Sequence, residues 1–336
     1  MRRYTEFPEL AKQGVVRGRS GFVYGDSLQP FCYGEEDIRE IVAYAAARHV
    51  KVVPEIELPA HFGSVLRAYP SMACKCPNDG KVCCIGNPET VRFAEKVLDR
   101  VCELFPSDVI HIGGDECTRK FWKECPVCQA HIRRERLKGV EDLQPWLTRH
   151  LVEYLAKKGR RAIGWDEIFL SSAWEDWKDR HKAGARSFNS ILPATTMGMC
   201  WRMQGAGAHA ANRGYEIVRC PVDYCYFDYG QGLPEDPFRN AGRGASLDKV
   251  YRFDVLEGVV PGARKNVAGG ECCNWSEWTL GIVDLEWRLW PRALALSEVL
   301  WTHRDPKARD FGEFSARAAE HRRRLIRAHV NCAPLK

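Results

Sequence analysis

The stretch Val109-Ile110-His111-Ile112-Gly113-Gly114-Asp115-Glu116-Cys117 decides how this chain is read. Its first four residues form a short, nearly continuous apolar run, as expected of a strand buried on both faces. Two glycines follow, and then two adjacent carboxylates. Along a regular strand, neighbouring side chains point to opposite faces. Past the strand end, a glycine pair lets the backbone turn, so both carboxylates can reach one pocket and another segment can come close. Like charges in contact raise the pKa of one partner when they are partly buried. The local pattern therefore fits an acid/base device, a cation site made of His111, Asp115 and Glu116, or a helix N-cap aspartate with an accompanying glutamate.

The same kind of run recurs on either side, at Val50–Pro54, Arg161–Trp165, Thr196–Trp201, Glu216–Arg219 and Asn266–Gly269. Helical patterns separate the runs. Glu35–His49 starts acidic and ends in Arg-His, which suits the helix dipole. Pro88–Phe105 opens with Asn-Pro, and Leu143–Lys158 stops at Gly159. Asp284–Trp301 and Phe311–His329 close the chain. Strands alternating with helices, without a linker, predict a parallel α/β sheet. A closed (β/α)8 barrel needs eight strands, and about six are visible. The residues that follow the strands argue for the barrel all the same. They are Glu55, Glu57 and His61; Asp115 and Glu116; Trp165, Asp166 and Glu167; Trp201; Tyr226 and Asp228; Trp275 and Glu277. Barrels converge such strand ends on one mouth.

The 336 residues are 45% hydrophobic and 28% charged, ordinary for a globular chain, and carry a formal net charge of +6. Basic residues are scattered except for Arg322–Arg324, which reads as a solvated helix face, so there is no nucleic-acid footprint. No segment approaches the ~18–20 apolar residues that span a bilayer. The N-terminus, MRRYTEFPEL, has no signal-peptide core. The 15 cysteines cluster, with Cys74, Cys76, Cys83 and Cys84 in one loop and Cys117, Cys125 and Cys128 in another stretch. Cys125-Pro-Val-Cys128 is a C-x-x-C, a weak zinc signal without a second pair, which Cys74/Cys76 would have to supply. The reading preferred here is disulfides within the Cys74–Cys84 loop and free thiols for most of the rest.

A rim rich in carboxylates and tryptophans suits sugar chemistry. Flat aromatic faces lie against the C–H faces of a pyranose, carboxylates accept from its hydroxyls, and apolar walls raise the pKa of a carboxylic acid that must donate a proton. Each tryptophan taken alone reads equally well as packing.

With these residues in hand, the chain resembles glycoside hydrolase family 20, the β-N-acetylhexosaminidases. His111–Glu116 (HIGGDE) matches that family's most diagnostic motif. Val53–His61 resembles its "PEID-x-PGH" segment, Gly164–Glu167 its "GWDE", Tyr224–Asp228 its "Y-x-D" and Asn274–Glu277 its "W-x-E". Trp290-Pro291-Arg292, with Ala295 and Glu298, resembles the helix that follows, and Asn331–Leu335 the usual C-terminal segment. Glu57 and Ala60 stand where the family usually has aspartate and glycine.

The resemblance implies an exo-acting enzyme that hydrolyses terminal β-linked N-acetylglucosamine or N-acetylgalactosamine on glycans or chitin-type oligosaccharides. The implied mechanism is retaining and substrate-assisted, through an oxazolinium ion. Glu116 is then the general acid/base, and Asp115 orients the acetamido group. Trp165, Trp201 and Trp275 wall the sugar, Tyr226 hydrogen-bonds the acetamido oxygen, Asp228 and Glu277 hold ring hydroxyls, and His61 lies near the leaving group. No metal or organic cofactor is expected. The fold implied is a TIM (β/α)8 barrel occupying residues 1–336 as one catalytic-type domain.

Met1–Gly18 resembles the stretch just after the family's second strand, so the barrel is expected to be incomplete at its N-terminus. A signal peptide would be lost in the same place, and the full-length protein is expected to be secreted or periplasmic. Two rival readings follow. One is a non-catalytic N-acetylhexosamine-binding remnant, and the other is a metal-dependent hydrolase on a similar barrel.

Overall fold

The computed structural model describes residues 7–10, 32–76, 80–169, 192–202, 204–234, 236, 244–276, 279, 281–302 and 304–335. The chain divides into two compact units, Met1–Gly198 and Met199–Lys336.

In the first unit the order is α1 (Glu35–Ala46), α2 (Gly63–Ala68), α3 (Pro88–Leu104), β1 (Val109–His111), α4 (Lys120–Glu124), α5 (Pro126–Arg134), α6 (Leu143–Lys157) and β2 (Arg161–Trp165). Strand β3 (Met197–Cys200) crosses the division. β1 and β2 pair in parallel, with Val109 opposite Arg161 and His111 opposite Ile163. Parallel neighbours need a crossover, and α6 lies between these two strands in the chain. It buries Leu143, Leu147, Leu151 and Leu155, one stripe at four-residue spacing, which is what an amphipathic helix presents to a core. α3 is started by Asn87, whose side chain accepts from the Glu89 N–H, and by Pro88 at the first helical position; it buries Phe93, Ala94, Leu98 and Val101. The core of this unit centres on these two faces together with Ile110, Ile112 and Trp122.

The second unit runs α7 (Gln204–Asn212), β4 (Glu216–Arg219), α8 (Val222–Cys225), α9 (Leu247–Tyr251), β5 (Val267–Gly270), α10 (Ile282–Leu289), α11 (Arg292–Thr302) and α12 (Phe311–Arg327). β4 and β5 are parallel, with an irregularity between Ile217 and Val218. No described helix is long and apolar enough to cross a membrane.

Three expectations are corrected. The run at Val50–Pro54 is not a strand; it ends in a single parallel bridge between Glu55 and His111. There the His111 N–H donates to Pro54 O at 2.9 Å and the Ile56 N–H to His111 O at 2.9 Å. Pro54 has no N–H to extend the ladder, and Val50 and Val53 are exposed rather than buried on both faces. The helix expected over Asp284–Trp301 is two helices, α10 and α11. Trp290 is extended (φ -100, ψ 136) before Pro291, as a residue preceding proline tends to be. The disulfides expected in the Cys74–Cys84 loop are not formed. Cys84 Sγ instead lies 3.6 Å from Cys128 Sγ and 3.7 Å from Cys125 Sγ, well beyond a bond length of about 2.05 Å.

Arg292, at the start of α11, is fully buried. Its guanidinium donates to Phe227 O (2.7 Å), Tyr229 O (3.0 Å), Gly230 O (3.3 Å), Ala245 O (3.2 Å) and Arg288 O (2.7 Å). It also lies over the Phe227 ring, 4.5 Å from the centroid. One side chain thus fixes irregular backbone that no strand pairs. Leaving a buried acceptor short of its donor costs about 1–3 kcal/mol, and several are involved here. Arg292→Met is therefore expected to lower stability by roughly 3 kcal/mol or more, read from the urea midpoint. A loss under about 1 kcal/mol would mean that other groups satisfy these carbonyls.

Candidate active site

The turn after β1 is built on its glycines. Gly113 (φ 69) and Gly114 (φ 112) both adopt left-handed backbone. A Cβ on Gly113 would lie 2.2 Å from Glu57 Oε2, and one on Gly114 would lie 2.4 Å from Ile168 Cγ2. The turn is pinned from two directions, by the Trp165 N–H donating to Gly113 O (2.9 Å) and Gln144 Nε2 donating to Gly114 O (2.6 Å). The Glu116 N–H donates to Glu167 Oε1 at 3.3 Å. The Gly164–Glu167 motif therefore supports the carboxylate turn directly.

Asp115 and Glu116 share one partner. His61 Nε2 lies 3.2 Å from Asp115 Oδ2 and 3.4 Å from Glu116 Oε2. Hydrogen bonds to these two carboxylates raise the His61 pKa to about 10, against the opposing effect of burial. His61 (φ 50) and Glu116 (φ 51) both hold left-handed backbone, unusual for residues with side chains.

A second network lies behind the first. Trp165 Nε1 donates to Glu55 Oε1 at 2.8 Å, and buried His111 Nδ1 lies 3.1 Å from the same oxygen. Burial opposes the charge on Glu55, but His111 together with hydrogen bonds from Glu57 and Trp165 outweighs it, and the pKa falls to about 2. Glu57 goes the other way. Burial, then the charge of Asp115 and the proximity of Glu55, push it far above the usual carboxylate range, so it is a neutral acid. The cation site read from His111, Asp115 and Glu116 is not assembled: His111 turns to Glu55, and the histidine facing the two carboxylates is His61. His61, Asp115 and Glu116 could hold a cation, with ligand atoms within 4.8 Å of one another. A second set that could do so is Cys74, Cys84, Cys125 and Cys128.

In the second unit, Tyr226 lies among rings. Its centroid is 6.0 Å from Trp201, 6.3 Å from Trp275 and 6.0 Å from Tyr229. Backbone contacts set this arrangement. Val222 N–H donates to Trp201 O (2.8 Å), Cys273 N–H to Cys225 O (2.8 Å) and Phe227 N–H to Cys273 O (2.7 Å). Asp228 is buried, and its carbonyl accepts from Arg288. Glu277 lies outside the described residues, as does most of the stretch Trp174–Pro193 that fits the family pattern poorly. Gln144, Arg288 and the buttressing role of Glu167 have no short-range signal. The contacts that place them, to Gly114 O, Asp228 O and the Glu116 N–H, are distant in sequence, and only packing reveals them; Arg288 also pairs with Asp284 one turn back, at 3.2 Å.

Residues 3–304 match the model of the glycosyl hydrolase family 20 catalytic domain. The chain belongs to this family. Among curated relatives, a beta-hexosaminidase of Porphyromonas gingivalis is 33% identical over 93% of this chain and 38% of its own length. Those of Vibrio furnissii (29% identical) and Akkermansia muciniphila (26%) are covered over 43% and 63% of their lengths, with 79% and 95% of this chain aligned. The chain thus spans less than two thirds of these relatives. The crystal structure of a beta-N-acetylhexosaminidase from Bacteroides fragilis is similar with a TM-score of 0.78 and 28% identity, over 99% of this chain and 63% of that one. That likeness gives the family 20 chain its fold class, α/β of the (β/α)8-barrel type.

The two raised pKa values in this family 20 site predict a pH profile. His61 binds its proton more tightly folded (about 10) than in an unfolded chain (about 6.5), so its contribution is complete below the unfolded value and is lost as pH rises toward 10. His61 is partly exposed, so screening reduces the effect. Glu57 acts with the same sign, because the folded chain must keep it protonated. Between pH 6.5 and 10 the melting temperature is expected to fall, less steeply in His61→Gln and less steeply in Glu57→Gln. A Glu57→Gln variant with an unchanged profile would contradict a neutral Glu57.

Proposed function

We propose that this chain carries the catalytic site of an exo-acting β-N-acetylhexosaminidase. Its substrates are glycans or chitin-type oligosaccharides that end in β-linked N-acetylglucosamine or N-acetylgalactosamine. The observation that carries the reading is the HIGGDE turn with His61 held against Asp115 and Glu116. The names of the curated relatives and of the Bacteroides fragilis structure support the substrate class.

In the proposed mechanism Asp115 accepts from the acetamido N–H and turns the acetamido oxygen toward C1. Positioning of this internal nucleophile replaces a bimolecular attack. As that oxygen bonds to C1, the glycosidic C–O bond breaks and the proton of Glu116 goes to the leaving oxygen. Asp115 offsets the positive charge of the oxazolinium ion. Glu116 then takes a proton from water, which attacks C1 and reopens the ring with net retention. His61 holds both carboxylates in register. Trp165, Trp201 and Trp275 supply aromatic faces for the sugar, Tyr226 a donor for the acetamido oxygen, and Asp228 and Glu277 acceptors for hydroxyls. These sugar-holding roles rest on the family's motifs.

The test is release of nitrophenol from aryl β-N-acetylglucosaminide and β-N-acetylgalactosaminide by the folded chain, with a chitin-type disaccharide as the poor-leaving-group substrate. Glu116→Gln is expected to lose about 10²–10⁴-fold on the disaccharide and much less on the aryl glycosides, whose departure needs little protonation. Equal losses on both would remove Glu116 from the acid role. Asp115→Asn is expected to slow every substrate, and a near-normal Asp115→Asn would overturn its assignment. A folded chain that binds N-acetylglucosamine without turnover would replace the enzyme by a sugar-binding module. Turnover abolished by a chelator and restored by a divalent ion would favour a metal-dependent hydrolase.

A further inference from the structure

Four thiols come together away from the carboxylate turn. Cys74, Cys84, Cys125 and Cys128 are all buried, and their Sγ atoms lie within 4.8 Å of one another. Cys84 Sγ is 3.7 Å from Cys125 Sγ and 3.6 Å from Cys128 Sγ. Zinc bound by four thiolates at about 2.3 Å places its sulfurs about 3.8 Å apart, the edge of the tetrahedron. The spacing is too long for disulfides and matches a shared metal.

The backbone is arranged around this cluster. Cys125 is the N-cap of α5, with Cys128 in its first turn, so both sulfurs sit at the positive end of a helix dipole. Cys74 and Cys84 flank an antiparallel bridge between Ala73 and Cys83, and the Cys84 N–H donates to Met72 O at 2.8 Å. The Lys75 N–H donates to Cys125 Sγ at 3.4 Å. N–H donors to sulfur are the outer partners that orient thiolate ligands and offset their charge. Gly86 makes room for this, since a Cβ there would lie 2.4 Å from Val127 O and 2.8 Å from the Cys128 Cα.

We infer that Cys74, Cys84, Cys125 and Cys128 bind one structural zinc ion. Four protein ligands close the tetrahedron and leave no position for water or substrate, so the metal takes no part in hydrolysis. On binding, the four thiols release their protons to solvent. The ion ties the loop after His61 to the helices after Glu116. The Cys83 N–H already donates to Pro59 O (3.0 Å), Trp122 Nε1 to Cys83 O (2.9 Å) and the Phe62 N–H to Lys81 O (2.9 Å). Zinc fastens that bundle covalently to α5.

The chain is expressed in zinc-supplemented medium, purified without chelator, and analysed for metal by mass spectrometry. One zinc per chain is expected. Glu116→Gln and Cys76→Ser are expected to keep it, which separates this site from the His61 set and from a neighbouring thiol. Cys84→Ser and Cys128→Ser are expected to lose it and to melt lower. Because those variants could unfold, the unaltered chain is also exchanged into Co²⁺. Thiolate-to-cobalt charge-transfer bands with a tetrahedral d–d pattern are expected. Iron in place of zinc, with the colour of a four-thiolate ferric centre, would correct the metal. Metal-free folded protein with these four thiols titratable or joined in disulfides would overturn the proposal, as would zinc that leaves with His61→Ala and stays with Cys84→Ser.

Discussion

The geometry at the carboxylate turn depends on the absence of two side chains. Gly113 and Gly114 are boxed in by Glu57 and Ile168 at distances no Cβ tolerates, and both use backbone that other residues avoid. This lets β1 end abruptly and deliver Asp115 and Glu116 to the same partner, where a continuing strand would have sent them to opposite faces. The arrangement also explains why β2 carries Gly164 at its end. A Cβ there would come within 2.8 Å of Gly113 O, so the two strands can lie this close only as glycine against carbonyl.

Crowding several carboxyl groups around one turn creates an electrostatic problem, and the structure divides it. Glu55 stays ionised because His111 and the Trp165 indole serve it. Glu57, buried between Glu55 and Asp115, takes a proton instead. His61 supplies the positive charge that lets Asp115 and Glu116 face one another. Neutralising one member and pairing the others avoids a cluster of unpaired buried charge, which would be far more costly than either device.

Much of this was legible in the sequence, because it is local. β1, β2 and the glycine turn follow from a short apolar run and the conformational freedom of glycine. α3 and α6 follow from Asn87-Pro88 and a stripe of leucines. What escaped is set by partners far apart in the chain. A histidine beside a carboxylate is not nearby in sequence, so the cation reading chose His111 when the fold brings His61. Adjacent carboxylates draw attention to that pair alone, whereas burial and the neighbouring carboxylates also push up the pKa of a third acid, Glu57, from the loop before α2. The cysteine spacing offered Cys74/Cys76 as the mate of Cys125/Cys128, but the Ala73–Cys83 bridge carries Cys84 to that place and turns Cys76 toward Phe121 O. Pro54 and Pro291 were visible as letters. Their effect is physical: Pro54 lacks the N–H a strand would need, and Pro291 holds Trp290 extended and so divides a helix that the apolar pattern alone runs together.

His61 and Glu116, which meet at this turn, also spend conformational energy to do so. Each sits in left-handed backbone that costs a residue with a side chain of order 1 kcal/mol or more and costs glycine almost nothing. Selection for heat tolerance alone would therefore drift toward glycine at both positions, and each such gain would delete a group that the carboxylate cluster needs. The trade-off between endurance and activity is written into two dihedral angles, and it marks these positions as ones to hold fixed in any stabilisation effort.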